Sequence, residues 1–556
     1  MYIVPGGWKF VTEGSDKDRI RGDSDMYLDE RNMKKGNILD FLEKSEERFG
    51  HKTAVEDEKL SLTYHELAAM ARRIGSAVSR RVEPGTPVPV LMEKSPLTLA
   101  VMFGIVYAGC FYVPVNPENP PERQKKIFET LDARLVITDG DADQVVRLAG
   151  APGDRRAAGR TEAAAAEKLL GEETDMTRLE QIRMESSESD TLYALFTSGS
   201  TGVPKAVMVS HGAVIRFIGH FTGTFGITEK DIIGNQAPFD FDVSVKDIYS
   251  CIMTGGTIVL IPKEYFSTPP RLLDYLCKKK VTTLIWAVSA LTLLSALKGL
   301  DYRVPGSVNK VLFSGEAMPP KQLRIWQDAL PDAAFVNLYG PTEITCNCTY
   351  YKVERKFGDE EKIPVGRAFP GRTVFLKDEE EGVIAVPGKT GEICVAGESL
   401  SDGYYKDRER TGQRFPMYPV DGKHMERIYM TGDLGYYDES GELIFAGRKD
   451  FQIKHMGHRI ELEEIESALN ASEGITKSCC IFDREKNRIL GFYMGEAEPA
   501  QVRRTMKKKL PPYMIPAKLR QMTVMPLNKN GKTDRAYFMK LAKENRQRPG
   551  KEVQKI

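Results

Sequence analysis

From Asn37 onward, apolar residues recur at helical spacing: Ile38, Leu39, Phe41 and Leu42 share one face, with Glu and Lys opposite. Farther along, helical stretches alternate with short β-branched runs such as Arg134-Leu-Val-Ile-Thr, Gly256-Thr-Ile-Val-Leu-Ile and Lys310-Val-Leu-Phe. Apolar runs of that length, separated by helices, are typical of strands buried on both faces, so the pattern predicts an α/β domain with a largely parallel sheet. Ser95 to Pro117 carries no charge, and Leu97–Val115 reaches membrane-span length. Ala108-Gly109-Cys110 interrupts that run, and Phe111-Tyr-Val-Pro-Val-Asn-Pro closes it in a proline turn. A buried helix followed by a buried strand fits better than a membrane span.

The pattern divides the chain. Residues 1–35, crowded with charge over 12–35, read as a mobile leader. Residues 36–449 read as a large multilayer α/β domain, and 450–540 as a small, mobile α+β lid domain. Residues 541–556 form a basic tail. Within the large domain, Asp141 to Asp190 is Ala- and Arg-rich, then acidic and serine-bearing, and reads as surface helix and linker.

Composition narrows the classes. The 79 Lys+Arg nearly balance the 78 Asp+Glu, giving +1, which offers no electrostatic footprint for nucleic acid. The N-terminus lacks a secretory pattern, and eight sparse cysteines read as reduced thiols, which points to the cytoplasm. Cys346-Asn-Cys348 and Cys479-Cys480 have no companion ligand pairs and read as structural rather than metal-binding. A serine hydrolase is disfavoured because the sequence has no GxSxG elbow.

Leu195-Phe-Thr-Ser-Gly-Ser-Thr-Gly-Val-Pro-Lys205 lies between two apolar runs. Its glycines, Gly199 and Gly202, allow backbone N–H groups close to an anion. Thr197, Ser198, Ser200 and Thr201 add hydroxyl donors, and Lys205 adds a charge. Polyphosphate is the natural guest. The loop is not a Walker motif, because an extended stretch rather than a helix follows it.

This loop resembles the phosphate-binding signature of the adenylate-forming superfamily, which includes acyl-CoA synthetases, luciferases and peptide-synthetase adenylation domains. Other strings resemble family signatures in the family's order: Leu62-Thr-Tyr-His-Glu-Leu67, Asn337-Leu-Tyr-Gly-Pro-Thr-Glu343, Tyr429-Met-Thr-Gly-Asp-Leu434, Gly447-Arg-Lys-Asp450, Gly457-His-Arg-Ile-Glu-Leu462 and Asn530-Gly-Lys-Thr-Asp-Arg535. The resemblance implies attack of a carboxylate on the α-phosphorus of ATP, followed by capture of the acyl group by a thiol. It further implies that Tyr339 stacks on adenine, Asn337 reads its amino edge and Thr342 touches the α-phosphate. Glu343 would hold Mg2+, Asp433 would accept the ribose hydroxyls with help from Arg448, and Gly315, Glu316 and Gly340 would complete the nucleotide site. Lys532 would bridge substrate carboxylate and α-phosphate. Asp450 matches the family's hinge, about which the lid would exchange its Lys532 face for its Gly457 face.

Phe241-Asp242 stands where amino-acid-activating members carry an aromatic residue and an aspartate. Burying a carboxylate is costly unless a cation such as a substrate α-ammonium compensates it, so amino-acid activation is favoured over fatty-acid activation. The stretch most resembles stand-alone D-alanine–carrier-protein ligases. By motif, the remaining pocket comprises Val243, Lys246, Ala287, Leu312, Ser314, Leu338, Cys346 and Asn347. Ser314 replaces a cysteine of the D-alanine subgroup, which leaves the amino acid open. Lys246 either pairs with a side-chain carboxylate or points outward from its helix, and the outward direction is favoured. Nothing after Arg535 resembles a carrier domain, so the expected acceptor is phosphopantetheine on a carrier protein met in trans. The alternatives are an acyl- or aryl-CoA ligase and a non-catalytic nucleotide-binding relative.

Overall fold

Ser95 caps the helix Pro96–Tyr107 by accepting a hydrogen bond from the Thr98 amide. The helix is apolar all round because it is buried all round, and the strand Phe111–Pro114 follows it into the core. In this computed structural model, the described residues are 36–149, 161–199, 204–378, 382–420, 422–527 and 533–547, together with the backbone of the paired strands Tyr2–Val4 and Gly7–Lys9. The rest of the expected leader lies outside them. Among the described residues, no helix is long and apolar enough to cross a membrane.

Pro96–Tyr107 packs closely on Tyr64–Ser79. A Cβ built on Gly75 would lie 2.6 Å from Tyr107 Cβ, and one on Gly104 would lie 2.6 Å from Ile74 Cγ2. Only glycine at both positions lets the backbones come this near.

Two large sheets carry the chemistry. One has seven strands, with Thr191–Thr197 between Lys205–Ser210 and Phe111–Pro114. The other has nine, with Thr283–Ala287, Lys310–Ser314 and Ala334–Tyr339 parallel at its centre. A third sheet is built around the long strand Met425–Tyr437, which pairs with Leu443–Arg448. Beyond it come a small hairpin, Gln452–His455 with His458–Glu461, and a three-stranded sheet flanked by the helices Leu462–Asn470, Pro499–Lys509 and Arg535–Gln547. This last unit has its own apolar core around Ile460, Ile465, Tyr493 and Met506. A large α/β part and a smaller α+β part therefore follow one another along the chain.

Two local expectations are corrected. The stretch read as helix and linker contributes the strand Glu162–Ala165, paired in parallel with Leu135–Thr138. Its alanines hide the extended conformation from a propensity reading, and the neighbouring strand's open edge supplies the hydrogen bonds that favour it. The helix Arg535–Gln547 also runs past residue 541, so the tail begins as ordered helix.

Gly75→Ala should destabilise the protein by about 1–3 kcal/mol through overpacking against Tyr107. Equilibrium urea unfolding measures this, and Gly85→Ala is the comparison, because a Cβ there meets nothing within 4 Å, although its φ of +77° adds local strain.

Candidate active site

Ala287 and Ser314 end neighbouring parallel strands and are paired in register, and Tyr339 ends the next strand. Ligand sites gather at such carboxyl edges, where loops diverge. After Tyr339 the chain turns sharply: a Cβ on Gly340 would lie 2.5 Å from Asn347 Cα, so glycine is required. A short 3-10 turn, Thr342–Ile344, follows, and then Thr345 and Cys346 adopt φ of +55° and +69°. Two consecutive non-glycine residues in the left-handed region are strained, a feature that clusters at functional sites.

On one side of this turn a polar chain runs from Tyr339 to the inter-domain link. The Tyr339 hydroxyl donates to Asp433 Oδ2 at 2.6 Å, while Arg448 donates to Asp433 Oδ1. Asp433 and Arg448 are cross-strand partners, which fixes this pairing. Arg448 also grips Asp450 through Nε at 2.5 Å and Nη2 at 2.7 Å. Burial opposes the Asp450 charge, and the hydrogen-bonded Arg448 more than offsets that, keeping the carboxyl below its ordinary range. Asn337 spends its side-chain N–H on Pro364 O at 2.8 Å.

On the other side, Glu343 is fully buried. Lys205 Nζ lies 3.2 Å from its Oε1, the Tyr404 hydroxyl donates to the same oxygen at 2.9 Å, and Arg459 Nη1 donates to Oε2 at 2.6 Å. Burial alone would raise this carboxyl, but Arg459 and then Lys205 outweigh it and hold it well below the usual range. Burial also lowers Lys205 to about 8, with Glu343 pulling the other way.

Arg459 belongs to the Gln452–Glu461 hairpin, so this ion pair joins the small unit to the large one. The hairpin turn, Met456-Gly457, has φ of +53° and +80°, the two-residue geometry that normally selects Asn-Gly. The Gly457 amide donates to Glu316 Oε1 at 2.9 Å. Ser198 Oγ donates to Arg459 O at 2.8 Å and accepts from Glu461 N at 3.1 Å. Arg123 pairs with Glu464, which also accepts from the Gly199 amide. Thus the Gly457 face of the small unit lies against Ser198 and Gly199, at the start of the glycine-rich loop. His458 stacks on Tyr513 with ring centroids 3.7 Å apart, and burial, the largest cause, lowers its pKa to about 4.

Between these groups is a narrow cavity of about 50 Å³ lined by Thr197, Ser198, Phe241, Asp242, Thr342 and Arg459, among others. The hydroxyl of Thr197, at its wall, is buried without a partner. A larger hollow of about 330 Å³, lined by Thr224, Lys310, Leu312 and Glu354 among others, shares no lining residue with this cavity.

Asp242 stands at the N-terminal edge of the helix Val243–Thr254 without a side-chain capping bond; its carboxylate accepts a 2.7 Å hydrogen bond from Thr342 Oγ1, while Cys346 Sγ lies 3.2 Å from its carbonyl oxygen. Val243, Leu312, Leu338, Cys346 and Asn347 are all buried. The outward Lys246 expected from sequence is wrong: the residue is 1% exposed, and its Nζ donates to Asn347 Oδ1 at 2.7 Å. The helix is buried on every side, leaving no solvent face for a lysine to reach.

Of the residues singled out by sequence, Ser200, Thr201, Gly202 and Lys532 lie outside the described residues. Sequence reasoning missed Arg459, Tyr404, Arg123 and Glu464. Arg459 sat inside the quoted Gly457–Leu462 string, and a charge beside the buried Ile460 was its only local signal.

Comparison with known proteins places these features in context. The model of the AMP-binding enzyme family matches residues 42–405. A D-alanine–D-alanyl carrier protein ligase of Bacillus velezensis is 31% identical over 85% of this chain and 93% of that protein. Surfactin synthase subunit 2 of Bacillus subtilis is 30% identical over 89% of this chain, which spans only 13% of that subunit. Among solved structures, the Vibrio cholerae adenylation domain AlmE, in complex with glycyl-adenosine-5'-phosphate, superimposes with a TM-score of 0.78 at 21% identity, covering 91% of this chain and 98% of that one.

Arg459→Ala leaves Glu343 with Lys205 and the Tyr404 hydroxyl, both on Oε1, and unties the hairpin. Amide hydrogen exchange across Gln452–Glu461 should accelerate at least about tenfold relative to the three-stranded sheet. His458 adds a pH dependence with a definite sign. Its docked pKa is depressed, so stabilisation is present above the ordinary histidine value and is lost as pH falls toward about 4. Between pH 7 and 5 the docked hairpin should lose up to about 2 kcal/mol, and His458→Phe should flatten that dependence in the same exchange measurement.

Proposed function

We propose that this chain, which belongs to the AMP-binding enzyme family, activates an amino acid with ATP and passes it to the phosphopantetheine thiol of a separate carrier protein. Formation of an acyl-adenylate is the family's chemistry; the amino acid and the carrier are the reading's own additions. In the first step a carboxylate oxygen bonds to the α-phosphorus and pyrophosphate leaves. In the second the thiol sulfur bonds to the acyl carbon, AMP leaves, and the thiol proton is released.

The observation that carries the reading is Asp242. Its carboxylate is buried at the cavity wall, and burial, partly offset by Lys246 and the Thr342 hydrogen bond, raises its pKa. An incoming α-ammonium would compensate that anion, whereas a fatty acid would leave it unpaired. The carrier protein in the name of the ligase relative supports a carrier as acceptor.

Asp433 and Tyr339, already hydrogen-bonded together, would hold the ribose and adenine, with Asn337 beside them. Each Asp433 oxygen keeps a lone pair for a ribose hydroxyl. Thr342 and Lys205 would face the phosphates, and the glycine-rich loop would wrap them. Lys532 would serve the adenylation step. Glu343 would hold the magnesium ion that accompanies ATP and supplies positive charge toward the polyphosphate. Its carboxylate fits that role, but Arg459 already covers one of its oxygens in the docked arrangement. The arrangement described here, with the Gly457 face inward, is therefore suited to the thiol step, and Asp450 is the pivot proposed for the exchange.

Amino-acid-dependent exchange of pyrophosphate into ATP tests the first half-reaction. Asp242→Asn should reduce it by about 100-fold or more. Lys532→Ala should abolish adenylate formation while largely sparing transfer from supplied adenylate to a carrier, and Arg459→Ala should do the reverse. Equal loss of both steps in both variants sinks the two-face scheme. Exchange driven only by acids lacking an amino group, with coenzyme A as acceptor, sinks the amino-acid reading.

A further inference from the structure

The helix Val243–Thr254 presents opposite charges one turn apart, Asp242 at its cap and Lys246 four residues on. One helical turn of separation is about 6 Å. Lys246 is fully enclosed, yet its ammonium meets only a neutral amide oxygen, Asn347 Oδ1 at 2.7 Å, and makes no ion pair among the described residues. An ammonium has three N–H donors, so two remain for something else. The neighbouring Asp247 lies on another side of the helix and is engaged by Asn235 Nδ2 at 2.6 Å.

The loop after Gly340 is shaped to aim Asn347 at Lys246. Thr345 and Cys346 hold left-handed backbone conformations without glycine, and Gly340 is pressed against Asn347 Cα. That conformational cost brings Asn347 and Cys346 onto Lys246 and Asp242 respectively. Burying an ammonium without a hydrogen-bonded counter-ion is unfavourable: Asp242 and Asp247 attract it only through space, and burial still lowers its pKa. Such an arrangement is stable in use when the ligand brings the missing negative charge.

We propose that the amino acid activated here carries a side-chain carboxylate, with Asp242 taking its α-ammonium and Lys246, steadied by Asn347, taking the distal carboxylate. The inference rests on the amino-acid reading given above. The α-nitrogen and side-chain carboxyl carbon of an extended glutamate are about 5 Å apart, comparable with the one-turn spacing of the two protein charges. Aspartate is shorter by one methylene.

The test is pyrophosphate exchange with both enantiomers of aspartate, glutamate, asparagine, glutamine and alanine, and with glutarate as an acid lacking the amino group. Aspartate or glutamate should give the strongest response, and Lys246→Met should lower its kcat/KM at least 100-fold, chiefly through KM, while narrowing the gap to the neutral amide analogue. Lys246→Arg should restore part of the acidic preference. Thermal unfolding of each variant checks folding, and if Lys246→Met does not fold, Asn347→Leu should weaken the same preference at least tenfold.

A strong response to alanine that Lys246→Met leaves intact overturns this inference but preserves amino-acid activation. A response to glutarate equal to that of glutamate overturns the role of Asp242, and with it both readings.

Discussion

Glu343 is the anion on which the arrangement of the two units depends. A fully buried carboxylate is tolerable only if positive charge surrounds it, and Lys205 and Arg459 provide that from opposite sides. Lys205 begins the strand after the glycine-rich loop, whereas Arg459 lies in the hairpin of the small unit. One side chain therefore couples loop, turn and the hairpin of the small unit. Because Arg459 and the proposed metal ion would seek the same carboxylate, the charge balance at Glu343 would change with the proposed exchange of the small unit's faces.

The surrounding fold keeps this electrostatic centre in place. Parallel strands end together at Ala287, Ser314 and Tyr339, and the tight Gly340 turn folds Thr342 and Glu343 back over those ends. Strain at Thr345 and Cys346 is sustained by packing around them, with both residues buried. Across the opening, Arg448 holds Asp433 with one nitrogen and Asp450 with two more. The proposed nucleotide contact and the proposed hinge thus share one guanidinium, so a change at either is felt by the other.

Much of this could be read along the chain. The uncharged run Ser95 to Pro117 resolves as helix and strand, because its glycine and prolines interrupt it where a membrane helix would continue. The strand–loop–strand around Lys205 is also present as its pattern predicts. Glu162–Ala165 escaped notice, since alanine favours helix and only an open sheet edge makes it a strand. Lys246 escaped for a related reason: a lone lysine in an apolar helix ordinarily reaches solvent, and only the enclosure of the whole helix prevents it.

Local order in the sequence determines the elements, the family motifs and the kinds of side chain available to each. Periodicity and turn chemistry act over a few residues, so they are visible without a fold. Which charge meets which is a different matter. Arg459 is 116 residues from Glu343, and Asn347 is 101 from Lys246. No local pattern encodes such pairings, because they exist only when separate strands and helices have been packed and the water between them removed. Tertiary structure alone decided that Glu343 is shared between units and that Lys246 is kept inside.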